Sequence, residues 1–284
     1  MQRDEVFTIG CHLSSADGFL AMGENAVKIG ANTFQFFTRN PRGGAVKPLD
    51  MEDIETYKQF AAKNGISQIV AHAPYTLNAC AEKIYIRDFA LKAFTEDLSR
   101  LEHIPGSMYN FHPGNHVGQG KELGTDLITE LLNKVLKEKQ LTIVLLETMA
   151  GKGSEIGSRF EELQTIIENV KRNKYLGACL DTCHVFDAGY DIVNDLDGVL
   201  QQFDKIIGLD RLKAIHLNDS MNEIAKHKDR HEKIGKGKIG LPAIEKIINH
   251  SDLKHLPFLL ETPHENLQGY EEEIKLLKSL RKPN

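Results

Sequence analysis

The 284-residue sequence lacks the features that mark secreted and membrane proteins. Its four cysteines include no Cys-x-x-Cys pair, so they do not outline a disulfide framework. Its longest apolar runs, such as residues 142–146, are far shorter than the roughly 18 residues that a membrane-spanning helix needs. The first five residues lack the basic-then-apolar order of a secretory signal peptide. These absences predict a soluble, cytoplasmic protein with no membrane partner.

Features that divide a chain into parts are also absent. We find no Pro/Ser-rich linker, no internal repeat and no low-complexity tract. The 41% hydrophobic and 26% charged residues are ordinary for a globular protein. Because domains usually span about 100–200 residues, the length allows one large domain or two ordinary ones. We expect a single domain over residues 1–284.

Positive charge is slightly scarce. The 35 Lys and Arg residues against 40 Asp and Glu residues give a formal net charge of −5 with His neutral. A nucleic-acid-binding protein usually carries a basic footprint, so this balance by itself argues against a nucleic-acid partner. Histidine, in contrast, is plentiful, with 12 residues.

Short, β-rich apolar segments recur at an even spacing along the chain. They cover residues 6–10, 33–37, 68–71, 108–111, 142–146, 176–180, 213–215 and 257–260. The segments between them place apolar residues at i, i+3 and i+4, as amphipathic helices do. These segments include residues 54–60, 89–101, 127–136, 160–170 and 244–248. Eight such alternations over about 250 residues predict an α/β fold, the (β/α)₈ or TIM barrel.

An open, doubly wound sheet is the rival architecture. Such a sheet normally carries Gly-x-Gly-x-x-Gly after its first strand, whereas residues 10–14 here read Gly-Cys-His-Leu-Ser. The glycine-rich segment 235–240 lacks the Gly-Lys-Ser/Thr ending of a P-loop, so we interpret it as a flexible turn. Both observations favour the barrel.

A side chain able to bind a metal ion directly follows each of the last six predicted strands. These residues are His72, His112, Glu147, Asp181, His216 and Glu261. In a TIM barrel the carboxyl ends of the strands meet on one face, which carries the active site. One such residue alone is more often a satisfied histidine or a capping carboxylate. Six on consecutive strands predict a ring of metal ligands.

Three further residues extend this ring. His184 follows Asp181 by three positions, in the predicted loop after the sixth strand. Asp229 and His231 lie in the polar loop 220–238, and an extended Asp-x-His segment would point both side chains the same way. With one imidazole from elsewhere they would form a three-ligand site with an open position, as in catalytic zinc sites. A loop of this composition is more often a solvated surface, but the neighbouring ring favours a metal role.

The nine residues comprise five histidines and four carboxylates, a mixture that suits Zn²⁺, Mn²⁺ or Fe²⁺. Nine ligands are too many for one tetrahedral ion and indicate two or three ions with a bridging carboxylate. Ions about 3.5–4 Å apart can clamp the attacking and leaving oxygens of a phosphodiester, so we expect hydrolytic phosphoryl transfer. The cysteines are interpreted as small buried hydrophobic residues: Cys11, Cys80, Cys179 and Cys183.

Five stretches in this order resemble the endonuclease IV family of apurinic/apyrimidinic (AP) endonucleases, which belongs to the xylose-isomerase-like TIM barrels. They are Phe-His-Pro-Gly at 111–114, Leu-Asp-Thr-Cys-His at 180–184, Ile-His-Leu-Asn-Asp at 215–219, Asp-Arg-His-Glu at 229–232 and Leu-Glu-Thr-Pro at 260–263. The resemblance runs from about Phe7 to Leu280. The sequence departs from the family pattern at Thr76, at Gly43 and Gly44, and at Thr148.

The resemblance implies three zinc ions per chain, with Mn²⁺ or Fe²⁺ able to replace zinc at individual positions. It assigns His72, His112 and Glu147 to the first ion. Glu147 would bridge to a second ion, held also by Asp181, His216 and Glu261, and the third ion would bind His184, Asp229 and His231. It also makes Glu147, Asp181 and Glu261 the catalytic carboxylates.

The implied activity is that of a zinc-dependent DNA-repair hydrolase of the deoxyribonuclease IV (phage-T4-induced) type. A hydroxide bridging two metal ions would attack the phosphodiester 5′ to an abasic site in duplex DNA, leaving a 3′-OH and a 5′-deoxyribose phosphate. By the same resemblance, Arg42 and Tyr75 bind DNA as wedges in the minor groove, and the protein is expected to be a monomer. Three divalent ions would also bring the formal charge from −5 to +1, which removes the objection to a nucleic-acid partner.

Two alternatives remain. Sugar isomerases and epimerases of the same barrel superfamily use metal-binding carboxylates at the same strand ends, but their chemistry does not need His184, Asp229 and His231. A non-catalytic module that binds damaged DNA would not require nine intact ligands.

Overall fold

Eight parallel strands close into a barrel in the order β1-β12-β9-β8-β6-β4-β3-β2. A computed structural model describes residues 6–282 of the chain. The barrel strands are β1 (Ile9–Leu13), β2 (Gln35–Phe37), β3 (Val70–His72), β4 (Met108–Phe111), β6 (Ile143–Glu147), β8 (Leu176–Asp181), β9 (Leu212–His216) and β12 (Phe258–Leu260). Two short antiparallel, two-stranded sheets lie outside the barrel: β5 (Gly114–Asn115) with β7 (Glu155–Ile156), and β10 (Asp219–Ser220) with β11 (His231–Glu232).

Helices follow each of the barrel strands. They are α1 (Phe19–Lys28), α2 (Met51–Asn64), α3 (Ile84–Leu101), α4 (Lys121–Val135), α5 (Phe160–Asn169), α6 (Thr182–Ala188), α7 (Leu196–Ile206), α8 (Leu241–Asn249) and α9 (Leu267–Leu280). None of the helices in residues 6–282 is both long and apolar enough to cross a membrane. The (β/α)₈ prediction is confirmed. The extension of one domain over all of residues 1–284 stays a prediction, because residues 1–5 and 283–284 lie outside the described part.

The first strand begins and ends later than predicted. The prediction placed it at residues 6–10, but β1 runs from Ile9 to Leu13 and pairs Ile9 with Phe258 and Cys11 with Leu260. The polar His12 interrupts the apolar run, so the sequence pattern did not predict that the strand continues to Leu13. Gly10 is needed here because a Cβ at this position would lie 1.9 Å from the carbonyl oxygen of Thr33.

Six barrel strands each contribute one side chain to a small apolar cluster. Its members are Val70, Met108, Leu145, Cys179, Ala214 and Leu259. A much larger cluster joins the other faces of the strands to the helices. All four cysteines are free and buried, and burial raises the pKa of Cys179 to about 11. The interpretation of the cysteines as buried hydrophobic residues is confirmed.

The buried carboxylate of Asp219 organises the glycine-rich segment 235–240. It accepts hydrogen bonds from the backbone N–H groups of Gly237 at 3.0 Å, Ile239 at 2.9 Å and Gly240 at 3.2 Å. A Cβ at position 237 would lie 2.3 Å from the carbonyl oxygen of Ser220, so only glycine fits. The segment is a turn, as predicted, and its amides surround a carboxylate of the chain itself. The same carboxylate accepts the backbone N–H of Ser220 in β10 at 2.8 Å, and the partner strand β11 carries His231.

We predict that Asp219→Ala lowers the free energy of unfolding by about 3 kcal/mol, because several buried N–H groups lose a charged acceptor. Urea denaturation of chelator-treated protein measures this effect. The control is Asp126→Ala on the exposed face of α4, which should stay within about 0.5 kcal/mol of the parent chain. An Asp219→Ala variant as stable as this control would contradict the role of the carboxylate.

Candidate metal centre

The six predicted strand-end residues lie together at the carboxyl-end face of the barrel. Four are the last residues of their strands, and two directly follow their strands. The first four are His72, Glu147, Asp181 and His216, and the other two are His112 and Glu261. The register of the parallel strands sets the positions of these residues along the barrel axis. Asp181 pairs with His216, and Glu147 pairs with Cys179. The barrel therefore brings these side chains to one end.

The nine candidate ligands form three adjoining groups. Within each group, one ligand atom from every residue lies within 4.8 Å of the others. The groups are His72, His112 and Glu147; Glu147, Asp181, His216 and Glu261; and His184, Asp229 and His231. We call the last set the third ligand group. Glu147 belongs to two groups, and the division matches the one that the family resemblance implies.

A fourth combination, Asp181 with Cys183 and His231, meets the same distance criterion. Burial raises the pKa of the Cys183 thiol, and the charge of Asp181 adds to this shift. A metal ion binds the thiolate and not the thiol, so Cys183 fits poorly as a ligand.

The surroundings of His184 and Asp229 differ from the sequence prediction. His184 lies in helix α6 and not in a loop, and Asp181 caps this helix by accepting the backbone N–H of His184 at 2.9 Å. Asp229 has φ of 53°, a left-handed conformation, so the extended geometry predicted for Asp229–His231 is wrong at its first residue. The two side chains nevertheless meet, with His184 Nε2 3.0 Å from Asp229 Oδ1.

Each of three buried imidazoles places one ring nitrogen against a neutral oxygen acceptor. His72 Nδ1 lies 2.6 Å from the carbonyl oxygen of Ala73, His184 Nδ1 lies 2.9 Å from that of Thr148, and His216 Nε2 lies 2.7 Å from Gln35 Oε1. Because these oxygens only accept, the ring nitrogens facing them carry the proton and donate. The other nitrogen of each ring is then free to bind a metal ion.

Those other nitrogens face carboxylate oxygens. His72 Nε2 lies 3.2 Å from Glu147 Oε2, and His216 Nδ1 lies 3.3 Å from Glu147 Oε1. Both atoms of such a pair hold lone pairs, so a proton or a cation must lie between them. His231 Nε2 is buried without a hydrogen-bond partner in the described chain, 3.6 Å from carboxylate oxygens of both Asp181 and Asp229. This arrangement suits divalent cations.

Neutral amides orient the carboxylates. Gln35 donates to Glu261 at 2.6 Å, Asn218 donates to Asp181 at 2.8 Å, and Asn110 donates to Glu147. Each of these bonds occupies one carboxylate oxygen without adding a competing positive charge. The three amides therefore fix the carboxylates and leave their negative charge for a metal ion.

The structure adds His12 and Gln35, two residues that the sequence did not predict in the site. His12 Nδ1 lies 3.1 Å from Gln35 Nε2 and 3.5 Å from Glu261 Oε1. The misplaced end of the first strand hid His12, whereas Gln35 could have been found as a polar residue inside an otherwise apolar strand. With these two residues, the first two strands also contribute to the site.

The two predicted DNA-binding residues lie in different positions relative to the ligands. The Tyr75 ring is 61% exposed and packs at the edge of the centre, with ring centroids 5.0 Å from Phe37 and 6.0 Å from His112. Arg42 is exposed on the loop between β2 and α2, and among the described contacts none joins its side chain to the ligands.

The buried Arg39 anchors the loop that carries Arg42. Its guanidinium donates to Asp97 on α3 at 2.6 Å and to the carbonyl oxygen of Gly44 at 3.1 Å. A Cβ at Gly44 would lie 2.6 Å from the Phe89 ring, so glycine allows the loop to pack closely there. Gly44, which departs from the family pattern, thus lies in a loop that is anchored by Arg39 and packed against Phe89.

The histidines and carboxylates shift one another's pKa. Burial by itself would lower the pKa of His184, but the charge of Asp181 and hydrogen bonds to Asp229 and Glu147 raise it well above its ordinary value. The pKa of His112 is also raised, since Glu147 outweighs the effect of burial. The pKa of Asp229 falls to about 2 because its hydrogen bond to His184 and the positive charge of that ring outweigh burial. Without an ion, protons on His112 and His184 balance part of the carboxylate charge.

We predict that Zn²⁺ binding releases protons near pH 7 and that the apparent affinity rises between pH 6 and 8. His112 and His184 have raised pKa values and carry protons in the ion-free chain, whereas a ligand imidazole must be neutral. Isothermal titration calorimetry in buffers of different ionisation enthalpy counts the released protons. The exposed His103→Ala variant should release the same number. An affinity independent of pH would contradict this prediction.

Comparison with known proteins places the chain in a family. Residues 24–280 match the family model described as xylose isomerase-like TIM barrel. The chain is 61% identical over 272 residues to a probable endonuclease 4 of Clostridium beijerinckii, covering 96% of this chain and 98% of that protein. It is also similar to the crystal structure of endonuclease IV from Thermus thermophilus, with a TM-score of 0.85 and 29% identity over 96% of this chain and 98% of the other.

A more distant likeness concerns the fold alone. The structure of D-psicose 3-epimerase from Clostridium cellulolyticum aligns with a TM-score of 0.68 at 14% identity, covering 97% of this chain and all of the other. The likeness to the endonuclease IV proteins extends over nearly the whole of each chain and reaches 61% identity. This protein is therefore a member of the endonuclease IV family of xylose isomerase-like TIM barrels.

Proposed function

We propose that this protein is a DNA-repair AP endonuclease. It hydrolyses the phosphodiester 5′ to an abasic site in duplex DNA and leaves a 3′-OH and a 5′-deoxyribose phosphate. The observation that carries the proposal is the set of three adjoining ligand groups at one end of the barrel. The relatives named probable endonuclease 4 and endonuclease IV support the same conclusion. A monomeric state and a cytoplasmic location stay predictions.

Three zinc ions are the proposed cofactors, and Mn²⁺ or Fe²⁺ can replace zinc at individual positions. The first group of ligands is His72, His112 and Glu147; the second is Glu147, Asp181, His216 and Glu261; the third is His184, Asp229 and His231. When bound, the ions supply hydroxide at neutral pH and polarise the phosphoryl oxygens. Five imidazoles and four carboxylates are a donor set that zinc accepts.

The orientation of Glu147 suits a bridging carboxylate. Its Oε2 faces His72 at 3.2 Å and His112 at 3.4 Å, in the first group, whereas its Oε1 faces His216 at 3.3 Å, in the second group. The two oxygens thus point to different sets of histidines. Glu147 is fully buried, so this geometry is held without competition from water.

Asp181 and Glu261 are held in fixed orientations and contribute negative charge to the centre. Asn218 donates its side-chain amide to Asp181 and accepts the backbone N–H of Glu261 at 2.9 Å, so one residue fixes the positions of both acids. A phosphodiester is itself an anion and would be repelled by these carboxylates unless cations neutralise them. The protein therefore couples substrate binding to occupation of the ligand groups.

Selection of an abasic site follows from the exposed residues near the centre. A nucleotide without a base has lost its stacking and pairing, so it costs less to extrude than an intact one. Tyr75 presents an aromatic ring beside the ligands, which suits a wedge that fills the gap. Arg42 would act from the loop that Arg39 anchors, with its cation available to the DNA backbone.

Sugar isomerases and epimerases share the barrel fold, but their chemistry does not explain the third ligand group. Proton or hydride shifts on a small sugar do not need the third ligand group, His184, Asp229 and His231. A module that only binds damaged DNA would not need the set of amides that orients the carboxylates. The third ligand group thus favours a phosphodiester hydrolase.

We predict that the Zn²⁺-loaded protein incises a duplex carrying one abasic site and that a strong chelator abolishes incision. Glu261→Gln should lower the incision rate by roughly 10²–10³-fold, because a neutral amide is a poorer ligand than a carboxylate for the proposed second ion, whose charge would stabilise the transition state. Affinity for the abasic duplex should change only a few-fold. Gel assays of incision and fluorescence anisotropy of binding make the two measurements.

Glu265→Gln is the matched control, since Glu265 is exposed in the same loop after β12. Its incision rate should equal that of the parent chain. Three results would contradict the proposal: no incision by loaded protein, only a β-elimination product, or an equal loss of binding and incision in Glu261→Gln.

A further inference from the structure

The loop that carries Asp229 has an unfavourable backbone conformation. Ala225, His227 and Asp229 have φ values of 61°, 54° and 53°. This left-handed conformation crowds the Cβ of every residue except glycine, and none of the three is glycine. We call residues 225–229 the ligand loop. Contacts outside the loop must hold it in this shape.

The end of helix α6 supplies those contacts. Asp187 is fully buried, and its Oδ2 accepts the backbone N–H of Asp229 at 2.7 Å and that of Lys228 at 3.2 Å. Its Oδ1 accepts the hydroxyl of Ser220 at 3.1 Å. The backbone carbonyl of Asp187 accepts the N–H of His227 at 3.1 Å. One residue therefore binds three consecutive amides of the ligand loop.

The same helix also carries the partner of Asp229. Helix α6 begins after Asp181, includes His184 and reaches Asp187 within one further turn. Across the third ligand group, His184 Nε2 lies 3.0 Å from Asp229 Oδ1. A single helix thus fixes His184 directly and Asp229 through Asp187.

We propose that Asp187 is a positioning residue for the third ligand group, and that the affinity for the third metal ion depends on it. Asp187 contributes no ligand atom; it holds the backbone of Asp229 so that the carboxylate faces His184. The inference rests on the three-ion centre of the proposed function. It assigns to Asp187 a role in only one of the three ligand groups.

The other two groups do not depend on the ligand loop. Their residues lie at the ends of barrel strands, where parallel pairing and the amides of Gln35, Asn110 and Asn218 hold them. Loss of the Asp187 carboxylate should therefore weaken one ion and leave two unchanged. A merely structural role would weaken all three ions together.

The test is a titration of the chelator-treated, full-length chain with Zn²⁺ in competition with a chromophoric chelator. The parent chain should bind three ions. Asp187→Ala should bind the third ion about 10–100-fold more weakly and the first two with parental affinity. Asp187→Asn should bind the third ion more weakly than the parent chain but more tightly than Asp187→Ala, because its neutral amide oxygen still accepts the loop N–H groups, though less strongly than a carboxylate does.

Asp191→Ala is the matched control. Asp191 follows the same helix by three residues, and its carboxylate binds the backbone and side chain of Asn194. This variant should bind three ions with parental affinities. Circular dichroism and thermal melting of each ion-free variant verify that the fold is retained.

Parental affinity for all three ions in Asp187→Ala, or a parallel loss of all three in a folded variant, would overturn the inference. If Asp187→Ala does not fold, Asp187→Asn decides, since a decrease confined to the third ion supports the role and no decrease overturns it. The titration uses no DNA, so its outcome is separate from abasic-site incision. Fewer than three ions in the parent chain would overturn both the inference and the three-ion centre.

Discussion

The interaction on which the site depends is the attraction between buried carboxylates and positive charge at the end of the barrel. Glu147 and Asp181 are fully buried, and the ion pairs of Glu147 within residues 6–282 are all with histidines. Burying a carboxylate is costly unless it is paired. Protons on His112, His184 and His216 provide this pairing when no ion is bound, and divalent cations would provide it in the proposed function. The fold therefore concentrates buried negative charge at one end of the barrel, where positive charge must balance it.

The rest of the structure holds this charged cluster in shape. Three buried acids outside the ligand set fix segments that carry ligands or lie beside them. Asp187 holds the ligand loop, Asp219 holds the turn at 235–240, and Glu273 accepts the N–H of Ile234 at 2.8 Å and the hydroxyl of Thr262 at 2.6 Å. Glu273 thus ties the segment after His231 to the segment after Glu261. The barrel strands fix the positions of most ligands along the barrel axis, and these three acids fix the conformation of the loops around them.

The sequence predicted the barrel and the strand-end ligands because the spacing of strands repeats and the carboxyl ends of parallel strands share one face. It did not predict His12, since a polar residue within β1 broke the apolar pattern. It also placed Asp229 in an extended segment. No glycine marks the left-handed conformation there, and Asp187, which binds the backbone of Asp229, lies far away in the sequence. The net charge of −5 was misleading for the proposed DNA partner, since four of the acids are candidate metal ligands.

We propose that the nine side chains form one centre for three divalent ions. Inductively coupled plasma mass spectrometry of protein purified without any chelator, combined with amino-acid analysis, measures the metal content per chain most directly. We expect three ions per chain, with zinc predominant. Two ions or fewer per chain, in protein never exposed to a chelator, would contradict it.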